Sequence, residues 1–331
     1  MSLQNPNQPP NPQNNTRLRE DNLLPLVAIV GPTGVGKTTV AIRLCETFGG
    51  EVVSADSRQV YQSMNIGTAK PTTDEQCCAR HHLIDVVAPN EDFSLAEYQR
   101  LAYAAIDHIH ARGKVPFLVG GTGQYVRAVL EGWTVPRVEP DQALRARLYR
   151  EAGQIGAEAL HARLASVDPA AAARIDPRNV RRVIRALEVY QATGTPISAR
   201  QGKQPPPYRV LQIGLTAPRH VLYHWIDERV DRMIAAGLVD EVRRLVEQGY
   251  GWELPAMSGL GYAQVGQYLR SEISLEEAIQ LIKRHTRRFI RHQYNWFRLN
   301  DPVIQWFDVS QQPYPEIEAT VRYFLLQDAT V

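Results

Sequence analysis

An apolar run over residues 24–30 leads straight into Gly31-Pro32-Thr33-Gly34-Val35-Gly36-Lys37-Thr38. This fits G-x-x-x-x-G-K-[ST] and predicts a strand, a phosphate-holding loop and a helix over residues 38–48. Glycines at 31, 34 and 36 let the backbone wrap tightly and turn its amides inward, while the helix adds the positive end of its dipole. Lys37 offers a point charge, and the Thr38 hydroxyl can ligate Mg²⁺. The candidate phosphate cradle is thus Gly31, Pro32, Thr33, Gly34, Val35, Gly36, Lys37 and Thr38. A glycine turn that binds nothing is the competing reading, and the flanking strand and helix count against it. The loop specifies a phosphate, but not which phosphate compound.

Further strand candidates follow at residues 51–54, 83–87, 115–119 and 209–215, with helix-compatible stretches between them. That alternation predicts an α/β fold, a parallel sheet flanked by helices of the P-loop NTPase-like kind. The helix near residues 94–112 opens on Ser94-Leu95-Ala96-Glu97, a capping box, and stops at Gly113. From residue 131 to 200 the strand pattern gives way to Ala, Arg and Leu at helical spacing, over 142–152, 157–165, 169–174 and 177–193. These residues are read as an all-helical insertion domain between the core's first part, 22–130, and its continuation, 201–331. Pro205-Pro206-Pro207 is a stiff connector, and after the returning strand the chain reads helical over 219–249, 263–269 and 275–299. Residues 1–21, rich in Asn, Pro and Gln, read as a disordered tail.

With 331 residues, 44% of them hydrophobic, the chain can bury a full core. Thirty-seven Lys and Arg against 35 Asp and Glu leave a formal charge of +2, so any nucleic acid must meet a local patch. Three cysteines, Cys45, Cys77 and Cys78, form neither a C-x-x-C pair nor a disulfide framework, which suits a reducing compartment. No window approaches the roughly 18 apolar residues of a spanning helix, so no membrane role is expected and the cytoplasm is the default location.

Asp56-Ser57-Arg58-Gln59 follows the second strand, at the sheet edge where ligands of open α/β folds bind. Asp56 can act as a general base, or it can cap a helix or tie down its own turn. Val119-Gly120-Gly121-Thr122-Gly123 ends another strand and reads either as a close approach to a ligand or as a tight turn. Basic residues cluster twice. Arg174, Arg178, Arg181, Arg182 and Arg185 form one set; Arg284, Arg287, Arg288 and Arg291, beside Lys283 and His285, form the other. The second is interleaved with Phe289, Tyr294, Trp296 and Phe297, a mix of cations and π surfaces that suits extruded bases, although solvated helix faces over aromatic cores carry the same pattern. His81-His82 lack a partner at metal-ligand spacing and read as surface or turn residues.

Taken together these stretches resemble the bacterial tRNA dimethylallyltransferases, also called tRNA isopentenyltransferases. The matching pieces are GPTGVGKT (31 to 38), SADSRQVYQSMNIGTAKP (54 to 71), GGTGQY (120 to 125), DPRNVRRVIRALEVYQATGTP (176 to 196), IGL with Arg219 (213 to 219), MIAAGLVDEV (233 to 242) and TRRFIRHQYNWF (286 to 297). They keep the family order across nearly the whole chain past residue 24. The resemblance implies transfer of a dimethylallyl group from dimethylallyl diphosphate to the exocyclic amine of the adenosine just 3′ of the tRNA anticodon. It further implies Asp56, Thr33, Lys37 and Arg219 as catalytic residues, and a phosphate loop that grips a leaving pyrophosphate with Mg²⁺ held through Thr38. Contacts to the tRNA anticodon arm are implied for Asp56, Ser57, Arg58, Gln59, Thr122, Arg145, Arg181, Arg182 and Arg185. The expected functional unit is a monomer.

Some positions depart from the family pattern: Arg58 stands where Met is common, Gln124 where Leu is common, and Met257 to Tyr262 is a loose version of the usual stretch. Three rivals share parts of the reading. A transferase of prenyl groups to free adenine nucleotides would keep Asp56 and the loop; a small-molecule kinase would use the loop for ATP. An RNA-binding protein with a regulatory nucleotide site would need no catalytic Asp56.

Overall fold

In the computed structural model, which describes residues 23–136 and 138–327, every residue from Leu26 to Val30 is fully buried. Consecutive strand residues face opposite sides, so β1 (Leu24–Val30) has no wet face and requires helices on both sides of its sheet. The chain continues through α1 (Lys37–Phe48), β2 (Glu51–Ser54), α2 (Thr73–Cys78), β3 (His81–His82), α3 (Leu95–Ala111), β4 (Pro116–Gly120) and α4 (Gly123–Leu130). A helical stretch follows: α5 (Gln142–Ile155), α6 (Ala157–Val167), α7 (Pro169–Ala172), α8 (Val180–Thr193) and α9 (Ile197–Arg200). The chain then returns as β5 (Tyr208–Thr216), α10 (Arg219–Ala235), α11 (Leu238–Glu247), α12 (Tyr262–Leu269), α13 (Leu275–Trp296), β6 (Ile304–Asp308) and α14 (Tyr314–Leu326). The tail read over residues 1–21 lies outside the described residues.

The strands form one sheet in the order β3-β2-β4-β1-β5-β6, parallel throughout. Ser54 pairs with Val119 and Val30 with Gly120, so β2, β4 and β1 end side by side. Whatever follows these three strands shares one edge of the sheet. This is the end where open α/β sheets bind ligands.

The chain separates into two compact units, one built of residues 127–206 and the other of the remainder. The smaller unit is wider than the expected 131–200. Trp133 bridges to Lys203 in antiparallel fashion, Gln204 N–H donates to the Gly132 carbonyl at 2.8 Å, and Lys203 pairs with Glu131 at 2.5 Å, which draws residues 201–206 into it. Its core is Leu144 and Leu148 of α5, Leu160 and Leu164 of α6, and Val183, Ile184 and Leu187 of α8, each set on one helix face.

Several expected elements end differently. The strand read over 83–87 stands instead at His81–His82, because Leu83 (φ 63°) and Asp85 (φ 54°) turn left-handed and only Val87 rejoins the sheet side, through a bridge to Tyr61. The histidines are therefore strand residues, and His82 Nε2 lies 2.6 Å from buried Glu51. Residues 219–249 are two helices divided at Gly237 (φ 95°). The helix read from residue 177 starts at Val180, after the Asn179 cap; the one read over 169–174 ends at Ala172, and the one read to residue 299 ends at Trp296. Edge strand β6 and helix α14 add to the expected elements: β6 buries only Ile304 of its five residues, whereas α14 buries Ile317, Val321 and Phe324.

Candidate active site

Gly31 leaves β1 at φ 143°, and a Cβ there would stand 2.4 Å from the Leu215 carbonyl oxygen, so the loop can start only with glycine. The loop ends at Gly36 (φ 89°), which caps α1 without any side-chain hydrogen bond and leaves the first-turn amides open to an anion. Lys37 Nζ donates to the Gly31 and Pro32 carbonyls at 3.0 and 2.8 Å. Burial pushes its pKa down to about 8, with the Asp56 carboxylate pulling the other way and the Arg229 charge adding to the fall. Thr38 is the second residue of α1 and half-buried.

Ala55 and Asp56 leave β2 against the exit of β4. A Cβ on Gly120 would meet the Ala55 carbonyl oxygen at 2.1 Å, and Ala55 O accepts from Thr122 N–H at 3.2 Å. Thr122 Oγ1 in turn accepts from Ser57 N–H at 3.0 Å. Asp56 Oδ1 accepts from Arg58 N–H at 2.8 Å, so one carboxylate oxygen ties its own turn. Turn-tying thus accounts for half of the carboxylate. Gln59 is used inside the protein: Oε1 accepts from Ser54 Oγ at 3.0 Å, and Nε2 donates to Thr68 O and Ala69 O at 3.4 and 3.2 Å. Arg58 reaches Pro255 O at 2.7 Å and Ser258 Oγ at 3.3 Å, tying the loose Met257 to Tyr262 stretch to the Asp56 turn.

Arg219 opens α10 and is exposed. The arginine whose charge acts on both Lys37 and Asp56 is Arg229, ten residues further along the same helix and therefore about 15 Å away along its axis. Ile226, one turn earlier on that face, packs on the phosphate loop: a Cβ on Gly34 would lie 2.7 Å from its Cδ1. Burial lowers the Arg229 pKa, and Asp56 opposes the fall. The reading of the residues passed over Arg229; its signal is a cation on the face that carries buried Leu222, Ile226 and Val230.

In the helical unit, Arg145 donates to buried Glu188 through Nε at 2.8 Å and Nη2 at 3.0 Å, and Arg185 does so through Nη1 at 2.6 Å. Burial alone would raise the Glu188 pKa, and the two guanidinium groups together with the Asp141 N–H bring it below the usual carboxylate range. Arg181 and Arg182 are exposed. On α13, Lys283 pairs with Asp231 at 2.8 Å, Arg287 with Asp227, and Arg291 donates to Tyr223 OH at 3.1 Å; Arg284 and Arg288 are exposed. The aromatic residues interleaved there turn inward: Phe297 is buried, Tyr294 OH lies 2.8 Å from Thr216 Oγ1, and Trp296 lies against Gly123. Only Phe289 remains exposed among them.

Sheet order and edge define the class: an α/β phosphate-loop protein with a carboxylate from the second strand set opposite the loop. The chain belongs to the IPP transferase family, whose model matches residues 59–300. It is 60% identical to the tRNA dimethylallyltransferase of Roseiflexus sp. (strain RS-1) over 276 residues, 83% of this chain and 90% of that one. It is 55% identical to the tRNA dimethylallyltransferase of Thermomicrobium roseum over 292 residues, 88% of each chain. Among solved structures it matches the full-length tRNA isopentenylpyrophosphate transferase of Bacillus halodurans, 42% identical, with a TM-score of 0.68 over 92% of this chain and 98% of that chain. A eukaryotic dimethylallyltransferase acting on tRNA, 26% identical, gives 0.75 over 92% and 79%.

Proposed function

We propose that this enzyme is a tRNA dimethylallyltransferase that moves the dimethylallyl group of dimethylallyl diphosphate onto the exocyclic amine of the adenosine 3′ of the anticodon. The observation that carries the reading is the convergence on one edge of the phosphate loop and Asp56, whose turn is held to the β4 exit through Thr122. Relatives named for tRNA favour a tRNA acceptor over a free nucleotide, and a prenyl donor over ATP.

An aromatic amine is a weak nucleophile, so the site must hold it in line with the allylic carbon. As the new N–C bond forms, the C–O bond to the diphosphate breaks, the oxygen keeps the electron pair, and the amine gives a proton to the Asp56 carboxylate. Charge gathers on departing pyrophosphate, where the amides from Gly34 to Thr38, the Lys37 ammonium and the Arg229 guanidinium meet it. Arg219 at the start of α10 is assigned to the same anion from the outside. No cluster of three or more His, Cys, Asp or Glu among the described residues forms a cation cage, which fits an ion carried in by the diphosphate and held by the Thr38 hydroxyl. Mg²⁺ bound so would neutralise diphosphate charge.

The target adenine must leave the loop stack to reach Asp56. Ser57, Arg58, Gln59 and Thr122 shape its entrance, and exposed Arg181 and Arg182 serve the anticodon arm's phosphates, whereas Arg145 and Arg185, expected beside them, are taken up by Glu188. No helix among the described residues is long and apolar enough to cross a membrane. We assign action to the cytoplasm on the strength of the tRNA acceptor, with a monomer as the working unit.

The test is incubation with labelled dimethylallyl diphosphate and unmodified tRNA, beside AMP and ATP-only controls. Label should enter tRNA alone, and Asp56→Asn should lower kcat by about 10²–10⁴ with little change in tRNA affinity. Label in AMP, or equal losses of rate and affinity, would contradict it.

A further inference from the structure

Gln293 sits on α13, 4% exposed, with its amide between two turns of the active edge. Oε1 accepts the Thr33 N–H at 2.8 Å, and Nε2 donates to the Gly121 carbonyl at 3.0 Å. Reversing the amide would set donor against donor and oxygen against oxygen, so the two bonds fix its orientation. The fit leaves no room beside it. A Cβ on Gly121 would stand 2.2 Å from Nε2, and one on Gly123 would stand 2.2 Å from Trp296 Cγ, which seats the end of α13 on the β4 exit.

This arrangement commits the Thr33 amide to the protein, so Thr33 meets an anion through its hydroxyl, while the amides that follow form the cradle. It also completes a connected path. From Thr33 the bonds pass through Gln293 to Gly121; the next residue, Thr122, holds Ser57, the neighbour of Asp56.

We propose that Gln293 is a positioning residue that locks the leaving-group loop to the acceptor-side turn and so sets the separation between departing pyrophosphate and the Asp56 carboxylate. The inference rests on the prenyl-transfer reading. In-line displacement is sensitive to misplacement of about 1 Å, and a buried strut with one donor and one acceptor removes that freedom. A carboxylate in its place would face the Gly121 oxygen; a protonated carboxyl would restore the donor.

The test compares Gln293→Glu and Gln293→Met with wild type. Gln293→Glu is expected at about a tenth of wild-type kcat or less at pH 8. Its ratio to wild type should climb as pH is lowered toward 5 and the carboxyl protonates; the charged groups on the same edge, Lys37, Asp56 and Arg229, are common to both proteins, so the ratio reports the new carboxyl. Gln293→Met keeps the volume without either bond and should show a deficit of similar size that pH does not relieve. A ratio for Gln293→Glu that stays flat with pH overturns the inference, as does unaltered kcat in Gln293→Met. Should Gln293→Met fail to fold, the pH course of Gln293→Glu decides alone. Should wild type leave tRNA unprenylated, the prenyl-transfer reading fails by itself, and calorimetric binding of inorganic pyrophosphate then decides the strut. Weaker binding in the variants supports it, and unchanged binding overturns it.

Discussion

The Tyr262 hydroxyl donates to Glu241 Oε1 at 2.6 Å, with both side chains buried. The same carboxylate accepts the backbone N–H groups of Asn65, Ile66 and Gly67 at 3.0, 2.8 and 3.1 Å. Gly67 must be glycine here, since a Cβ would stand 2.4 Å from the Tyr262 ring. A carboxylate on α11 thus holds the loop whose Thr68 and Ala69 carbonyls receive Gln59. Glu241→Ala strands three part-buried amides and the buried Tyr262 hydroxyl and should cost about 3 kcal/mol, whereas Tyr262→Phe removes one bond and should cost about 1–2 kcal/mol. Urea unfolding with unchanged m-values checks both.

Lys37 should set an alkaline limb on donor capture. With its pKa pushed down to about 8, the free enzyme loses the ammonium as pH rises through that value, so kcat/KM for dimethylallyl diphosphate should be level below it and fall above it. At saturating donor the bound diphosphate favours the ammonium, and kcat should hold to higher pH. Lys37→Arg keeps a permanent cation and should lack the limb in a pH–rate profile.

The two kinds of arginine in the helical unit should separate in experiment. Arg181→Ala removes an exposed cation and should reduce the salt slope of tRNA binding by about one phosphate contact with folding unaltered. Arg145→Ala leaves Glu188 buried with half its counter-charge and should destabilise that unit by roughly 3 kcal/mol. Filter binding across a salt series and denaturant unfolding distinguish them.

Glu51 should give the fold an acid-sensitive element. Burial would raise its pKa, but His82, Lys114 and Arg112 bring it down to about 2 from 4.5. It therefore stabilises the native state fully above 4.5, and the contribution is lost as pH falls through that value toward 2. Glu51→Gln should cost about 3 kcal/mol at pH 7 and much less at pH 3, measured by urea unfolding at both.

Covalently local features were legible in the residues. A tight loop of glycines between an apolar strand and a helix favours a phosphate cradle over an idle turn, so Gly31 to Thr38 pointed to the fold class and the phosphate together. Strands buried on both faces, such as β1 from Leu26 to Val30, carry unbroken apolar runs; edge strand Ile304–Asp308 buries only Ile304 and carries no such run. Partners distant in the chain were not legible. Arg229 and Arg219 look alike as sequence, and only the packing of Ile226 on Gly34 sets Arg229 beside Lys37. Arg145 and Arg181 are both arginines on helices, yet Glu188 claims one and leaves the other in water. Gln293 stands 260 residues from Thr33 and holds its amide. Local backbone preference and burial pattern are written along the chain; which side chains share a site depends on the order of the strands within the sheet, and only the tertiary structure decides that.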